Sequence, residues 1–218
     1  MDRVKNILAR LKKKYPHPQI ALHFETPMEL LVATILSAQC TDKRVNIVTE
    51  TLFKKYRTVG DYASADPDVF AREIRTAGFY RNKTRNIIAS AKKIAADFQG
   101  RVPETMDELL TLPGVARKTA NVVLYNAFGK NDGVAVDTHM IRVSGRLALT
   151  KHKDPVKIER DLMKRVPKPE WGDWTLRMVL HGRETCSARS PKCPVCVLAE
   201  VCPARKIYDP RWKKGVRP

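Results

Sequence analysis

Residues Leu112-Pro-Gly-Val-Ala-Arg-Lys-Thr119 join two helical segments through a very short turn. The helical patterns on either side cover residues 105–112 and 117–128, and Gly129 ends the second. Gly114 permits the chain reversal and lets the backbone approach another group closely. The first N–H groups of the second helix have no intrahelical partner, and the helix dipole favours an anion beside them. The stretch therefore predicts either an ordinary helix–helix corner or a helical hairpin that holds a phosphate.

Helical patterns continue along the rest of the chain. Thr26-Pro-Met-Glu29 is a helix start signal, in which the threonine caps, the proline takes the first position and the glutamate completes a capping box. The helix that it opens, to about Ala38, is almost entirely apolar and is predicted to be central. Apolar spacing predicts further helices over residues 4–15, 45–56, 67–77, 82–98, 138–149 (capped by Thr138), 155–166 and 171–183. No stretch alternates like a strand, so we predict an all-α chain of about ten short helices.

The charge of the chain indicates an anionic partner. Its 218 residues contain 41 Lys and Arg against 23 Asp and Glu, a formal net charge of +18. Self-repulsion of this size disfavours compaction, and we favour nucleic acid as the partner over an anionic membrane surface or an acidic protein. The cations gather around residues 3–14, 81–93 and 205–217, which indicates a folded basic face rather than one tethered arm. The longest apolar run, Leu30–Ile35, is far shorter than the roughly 20 residues of a membrane-spanning helix.

Cysteine usage and the first residues bear on the compartment. Four of the five cysteines fall between Cys186 and Cys202, whereas an oxidised secreted protein spreads its cysteines to close long loops. Residues Met1-Asp-Arg-Val-Lys5 lack the apolar segment of a secretory signal. We therefore expect a protein that is not secreted, stays in the reducing cytoplasm and, in a prokaryote, associates with the nucleoid.

The four clustered cysteines predict a metal site. Their spacing is Cys186-x6-Cys193-x2-Cys196-x5-Cys202, and four soft thiolates favour either zinc or an iron–sulfur cluster, between which the spacing does not decide. Arg189 and Lys192 lie in the loop between the first two cysteines, where they are either preorganised for phosphate or simply solvated. Cys40 stands apart in a helical context and is predicted to be a buried small hydrophobe.

Lys118 and Asp137 are the candidate reactive residues. Lys118 falls in the first turn of the second hairpin helix, where the positive end of the dipole and neighbouring Arg117 disfavour an ammonium ion and favour the free amine. A free amine is a nucleophile that forms Schiff bases, although Lys118 could instead contact a phosphate. Asp137 precedes a helix and is either its N-cap or a carboxylate that partners Lys118 in a cleft.

Five stretches, taken together, have a recognisable pattern. In chain order they are Leu36-Ser-Ala-Gln-Cys-Thr-Asp42, Gly78-Phe-Tyr-Arg-Asn-Lys83, Leu112-Pro-Gly-Val-Ala-Arg-Lys-Thr-Ala-Asn121, Val136-Asp-Thr-His139 and His181-Gly-Arg183 followed by the four cysteines. They resemble the endonuclease III family of helix-hairpin-helix DNA glycosylases, in family order over about residues 26–202. The resemblance implies a two-part all-α fold. Residues 20–131 would form a six-helix barrel with the hairpin at about 105–128, and residues 1–19 with 132–218 an iron–sulfur cluster domain. DNA would lie across the cleft between them.

The same resemblance assigns roles to individual residues. The four cysteines would hold one structural [4Fe–4S] cluster, Lys118 would be the nucleophile and Asp137 the assisting carboxylate. Gln39 looks like the residue that fills the gap left by an extruded base. Phe79 occupies the position of an apolar wedge that is more usually aliphatic.

The hairpin residues Gly114, Ala116 and Thr119, together with Arg189 and Lys192 of the cysteine loop, would contact the DNA backbone. The family hairpin more often has glycine where this chain has Ala116. Alanine there is strained if the position needs a positive φ, and otherwise changes only how closely a phosphate approaches.

The implied activity is base excision from duplex DNA that contains a damaged base or an abasic site. An oxidised pyrimidine would be flipped out of the stack, the Lys118 amine would attack C1′, and β-elimination would cut the strand on the 3′ side. We expect a monomer. One alternative is a monofunctional mismatch glycosylase that uses water, against which Lys118 argues. The other is a non-catalytic, cluster-bearing DNA-binding module, in which Lys118 and Asp137 are incidental.

The net charge predicts DNA binding that depends steeply on salt. With about 6–10 phosphate contacts, affinity for undamaged duplex should fall by about 10³–10⁵ between 50 and 200 mM salt. Replacing both Arg189 and Lys192 by glutamine should lower the log–log slope by about 1 for each phosphate that the cysteine loop no longer binds. Fluorescence anisotropy over a salt series measures both slopes, and an unchanged slope in the double variant would remove the cysteine loop from the interface.

Overall fold

The computed structural model describes residues 3–209, and these are helical with no β-strand, as predicted. Arg211, Lys213, Lys214 and Arg217 of the third basic cluster lie outside the described residues. Within the described part, no helix is long and apolar enough to span a bilayer. The α-helices are α1 Arg3–Lys14, α2 Pro27–Leu36, α3 Asp42–Lys55, α4 Val59–Ala63, α5 Pro67–Glu73, α6 Tyr80–Asp97, α7 Met106–Leu110, α8 Arg117–Phe128, α9 Thr138–Arg146, α10 Pro155–Met163, α11 Trp171–Glu184 and α12 Arg205–Tyr208.

Several details differ from the sequence-based helix predictions. Helices α4 and α12 were not predicted, because segments of five and four residues are too short to show helical periodicity. Thr138 is the first residue of α9 and not its cap, because the Asp137 side chain accepts the Met140 N–H at 2.7 Å. Helix α9 ends at Arg146 rather than at Leu149, and α10 ends at Met163 rather than at Val166. The helix predicted over residues 67–77 is an α-helix only to Glu73 and is followed by the 3-10 turn Arg75–Ala77.

The described residues divide into two compact units, each with its own hydrophobic core. Residues Ile20–Asp132, here called the central unit, contain α2–α8. The chain up to Gln19 together with the chain from Gly133 onward forms the second, here called the terminal unit, which contains α1 and α9–α12. Six of the seven helices in the central unit match the predicted ones, and α4 is the addition.

The core of the central unit is built around α2. Its capping box is present, with the Thr26 hydroxyl accepting the Glu29 N–H and the Glu29 carboxylate accepting the Thr26 N–H. Helix α2 is buried from Met28 to Leu36 and packs against α3, α6 and α8. Cys40 lies in the turn between α2 and α3, not in a helix, and is only partly buried against this core. Its predicted role as a small hydrophobe is thus met by its apolar packing, whereas its burial is only partial.

The terminal unit is held by α11, which packs against α1 and α9. Trp174 and Met178 of α11 are fully buried in this core. The close approach of α9 and α11 depends on Gly182, since a Cβ there would lie 3.0 Å from the Cβ of His139. The Arg142 guanidinium of α9 also joins the two helices there by donating to the Gly182 carbonyl of α11 at 2.9 Å.

The hairpin joins α7 to α8 and rests on α6. Gly114 has φ +78, and a Cβ built on it would lie 2.7 Å from Nδ2 and 2.8 Å from Cβ of Asn86. The Ser90 hydroxyl donates to the carbonyl of Pro113 at 2.7 Å. Ala116 has φ −99 and ψ 169, an extended conformation that any residue adopts, so alanine at this position causes no backbone strain.

Gly114→Ala is expected to destabilise the protein more than Gly129→Ala. Both glycines have positive φ, but a Cβ on Gly129 would meet nothing within 4 Å. Both substitutions cost about 1 kcal/mol of backbone strain, and only Gly114→Ala adds the clash with Asn86, a further cost of about 1–3 kcal/mol. Urea denaturation of both variants measures the difference. Adding Asn86→Ala should recover the extra stability that Gly114→Ala removes, and equal destabilisation by the two glycine substitutions would contradict the steric explanation.

Candidate nucleic-acid interface

The hairpin presents a helix N-terminus without a side-chain cap. Ala116 is the N-cap of α8 and has no side chain with which to accept an N–H from the first turn. Gly114, Ala116 and Lys118 are exposed, while Thr119 is partly buried. Lys118 is the second residue of α8. This arrangement leaves backbone donors and the positive end of the dipole available to a phosphate, with an exposed primary amine beside them.

Gln39 and Phe79 are both held in the left-handed region of backbone conformation. Their φ values are 55 and 47, and both side chains are exposed, Phe79 to 65%. A bulky residue in this conformation costs about 1–3 kcal/mol, and such strain is concentrated at functional sites. Two of the four non-glycine residues with positive φ among residues 3–209 are thus the two residues predicted to enter the DNA. The turns after α2 and before α6 present them.

One member of the second basic cluster is not on the surface. Lys83 is 5% exposed, and its ammonium donates to the carbonyl of Leu36 at 2.7 Å and to that of Ala77 at 2.9 Å. Burial lowers the pKa of Lys83 below its ordinary value. Its inclusion in a basic face is therefore wrong. Arg81 and Arg85 are exposed and line a surface groove together with Lys92.

Asp137 lies in the terminal unit and is partly buried. Its Oδ1 accepts the Met140 N–H at 2.7 Å, so the N-cap role is present in the structure. The nearby imidazole of His139 has a lowered pKa because burial disfavours its charged form. His139 Nδ1 lies 3.0 Å from a guanidinium nitrogen of Arg142, which indicates a packed helix-end residue.

The four clustered cysteines line a single pocket. Its other walls include the apolar side chains of Val143, Leu147 and Leu198. Burial raises the pKa of the Cys196 thiol to about 11 and also raises the pKa values of Cys193 and Cys202. Partly buried thiolates are stable when metal cations compensate their charge, so the donor set and its surroundings fit a thiolate-ligated metal group.

The loop between the first two cysteines is held by Arg146. The Arg146 guanidinium donates to the carbonyls of Ser187 and Ala188 at 2.7 Å each and to Cys186 Sγ at 3.3 Å. These bonds fix the backbone on which the exposed Arg189 and Lys192 are carried.

Sequence reasoning missed two residues that organise these sites, Lys83 and Arg146. Lys83 had a usable signal, because it shares the helical register of the apolar residues Ile87 and Ile94. No sequence pattern indicated the role of Arg146, since its partners are carbonyls and a thiol about forty residues away in the chain.

Comparison with protein-family models gives two matches. Residues 32–168 match the model described as HhH-GPD superfamily base excision DNA repair protein. Residues 186–202 match the iron–sulfur binding domain of endonuclease III, and this interval begins and ends at the outer cysteines.

Curated relatives and solved structures give the same family. The chain is 53% identical to the endonuclease III of Synechocystis sp. over 93% of each chain, and 44% identical to that of Bacillus subtilis over 99% of this chain and 97% of the relative. The structure is similar to a solved complex described as a trapped endonuclease III–DNA covalent intermediate. The TM-score is 0.89 at 44% identity, covering 94% of this chain and 96% of the other.

Proposed function

The chain belongs to the endonuclease III family of HhH-GPD base excision DNA repair proteins, and from this we propose that it is a DNA glycosylase and AP lyase that removes oxidised pyrimidines from duplex DNA. The observation that carries the proposal is the exposed Lys118 amine in the first turn of the uncapped hairpin helix. A primary amine beside a phosphate-binding N-terminus is placed to meet a deoxyribose carbon next to that phosphate. The similarity to a protein trapped covalently on DNA supports a covalent route.

The chemistry is nucleophilic displacement followed by elimination. The neutral Lys118 amine attacks C1′, the C1′–N bond to the base breaks, and the departing base takes up a proton. Opening of the sugar ring gives a protonated Schiff base between Nζ and C1′. Loss of a proton from C2′ converts this iminium into an enamine. The enamine nitrogen then returns its electron pair, so that a C2′=C3′ double bond forms as the C3′–O bond breaks and the downstream strand leaves with a 5′ phosphate. Water hydrolyses the Schiff base and frees Lys118.

Asp137 is the proposed assisting carboxylate. Its attachment to the start of α9 through the Met140 N–H fixes the position of the negative charge. A fixed carboxylate stabilises the positive charge that develops on the sugar as the base leaves, and it accepts a proton during the later steps.

DNA contacts follow from the exposed residues of both units. The N–H groups at the start of α8, with Gly114, Ala116 and Thr119, would bind a phosphate without reading a base. The exposed Gln39 and Phe79 would fill the space of the extruded base and separate its neighbours. Arg189 and Lys192 would bind the backbone through the terminal unit.

The metal group in the terminal unit is an iron–sulfur cluster, and we propose that it is one [4Fe–4S] cluster held by Cys186, Cys193, Cys196 and Cys202. The four thiols line one pocket with apolar walls, and soft thiolate ligands of this kind suit iron–sulfur chemistry. When bound, the cluster cross-links residues 186–202, and bond cleavage in the DNA is left to Lys118 and Asp137.

Purified protein is expected to be brown, with about four iron and four acid-labile sulfide per chain. Replacing Cys202 with serine should reduce the iron content and the visible absorption, because one of the four ligands loses its thiolate. Cys40→Ser is the matched control and should keep both, since Cys40 lies in the other unit. One stoichiometric zinc in a colourless and active protein would contradict the cluster assignment.

Lys118→Gln should lose base release, strand cleavage and borohydride trapping together, because all three steps need the amine. It should still bind duplex DNA that contains an oxidised pyrimidine, since phosphate contacts are distributed over many residues. Asp137→Asn keeps the N-cap and the amine, so stability should change little while base release falls by about 10²–10⁴. Cleavage at a preformed abasic site should fall less.

A single gel assay with and without borohydride measures these outcomes. Full trapping by Lys118→Gln would place the nucleophile elsewhere. Base release by the wild type without any trapping would favour a glycosylase that uses water. Tight binding by the wild type with no chemistry on any oxidised pyrimidine would favour a DNA-binding module.

A further inference from the structure

Helix α6 carries three side chains on one face that contact the candidate DNA-binding turns. Lys83, Asn86 and Ser90 follow the i, i+3, i+7 spacing of one helical face. Lys83 donates to the carbonyls of Leu36 and Ala77, Asn86 lies beneath Gly114, and Ser90 donates to the Pro113 carbonyl. Because a helix is stiff over two turns, this face fixes the position of the hairpin relative to the turns that carry Gln39 and Phe79.

The two carbonyls that Lys83 binds lie where the turns that carry Gln39 and Phe79 begin. Leu36 is the last residue of α2, and Ala77 is the last residue of the short 3-10 turn Arg75–Ala77. The left-handed Gln39 lies three residues beyond the first carbonyl, and the left-handed Phe79 lies two residues beyond the second. One ammonium donating at 2.7 and 2.9 Å keeps the two carbonyl oxygens within two hydrogen-bond lengths of each other.

The position of Lys83 is unfavourable in every local respect. It is the fourth residue of α6, in the first turn, where the helix dipole disfavours a cation, and α6 has no side-chain cap to offset this. Lys83 is also the one lysine among residues 3–209 that is buried, and burial disfavours its charged form. Natural sequences retain such locally unfavourable choices mainly at functional sites, where another requirement outweighs the cost.

We propose that Lys83 is a positioning residue for base extrusion: by joining the ends of α2 and Arg75–Ala77 it sets the spacing at which Gln39 and Phe79 enter the DNA together. The inference rests on the proposed function, because it concerns how an oxidised base leaves the duplex. An ammonium group suits the task, since it has three donors and its bonds to carbonyls are charge-assisted. A methionine of similar length would fill the space but would leave both carbonyls without this donor.

The test compares Lys83→Met with Thr34→Val as a matched control. Thr34 lies in α2, is buried and donates to the Leu30 carbonyl at 2.7 Å, so its replacement removes a buried hydrogen bond that does not join two turns. Lys83→Met is expected to slow single-turnover release of an oxidised pyrimidine by about 100-fold, with a smaller decrease at a preformed abasic site, where no base has to be unstacked. Thr34→Val should lower stability and leave both rates near those of the wild type.

Two further measurements distinguish positioning from general stability. A fluorescent adenine analogue placed beside the lesion should become brighter on binding of the wild type and of Thr34→Val, but not of Lys83→Met, because its emission rises when it is unstacked. In a Gln39→Ala/Phe79→Ala background, Lys83→Met should have no additional effect on base release. If Lys83→Met acted only by lowering stability, it would slow base release in that background as much as it does in the wild type.

The outcomes separate this inference from the proposed function. If the wild type neither releases a base nor is trapped by borohydride, the proposed function fails and this inference fails with it. If the wild type is active and Lys83→Met releases the base as fast as Thr34→Val, the inference alone is overturned. If Lys83→Met does not fold, Lys83→Arg replaces it in every measurement. Equal changes in base release and abasic-site cleavage in that variant would overturn the inference.

Discussion

The central unit depends on a constraint at the ends of its helices, because the last carbonyls of a helix need hydrogen-bond donors from elsewhere. The turns that follow α2 and Arg75–Ala77 each contain a left-handed residue. One buried ammonium, that of Lys83, supplies a donor to each of the two helix ends. An unpaired ammonium in this place would be strongly unfavourable, so the bonds and the burial require each other. The turns that present the exposed Gln39 and Phe79 begin at these two carbonyls.

In the terminal unit, Arg146 likewise donates hydrogen bonds to carbonyls of an irregular segment. The chain between Cys186 and Cys193 has little regular structure. The planar guanidinium donates to two of these carbonyls and to Cys186 Sγ at once, and it also lies over the ring of Tyr208 at 4.3 Å. In both units a long cationic side chain from a helix organises an irregular segment that carries candidate functional residues. The basic composition of the chain therefore has a structural component as well as an electrostatic one.

Local patterns in the sequence predicted the helices whose signals are complete within a few residues. The capping box at Thr26 and the glycine at position 129 set the start of α2 and the end of α8, and the observed α8 has the predicted bounds Arg117–Phe128. Helix α4 was not predicted because a segment of five residues is too short to show helical periodicity. Lys83 shares the register of the apolar residues of its helix, but lysine is almost always exposed, and the carbonyls that accept from it lie 6 and 47 residues away in the chain.

The sequence by itself determined the all-α class, the spacing of the thiol ligands and the identity of the candidate nucleophile, because each is written in residues that are neighbours in the chain. Only the tertiary structure decided that Gly114 rests on Asn86, that Ala116 is extended and unstrained, and that Lys83 and Arg146 are internal organisers. Those features arise from contacts between segments far apart in sequence. Propensity and periodicity describe a residue and its near neighbours, whereas the partner of a buried cation is chosen by how the helices pack.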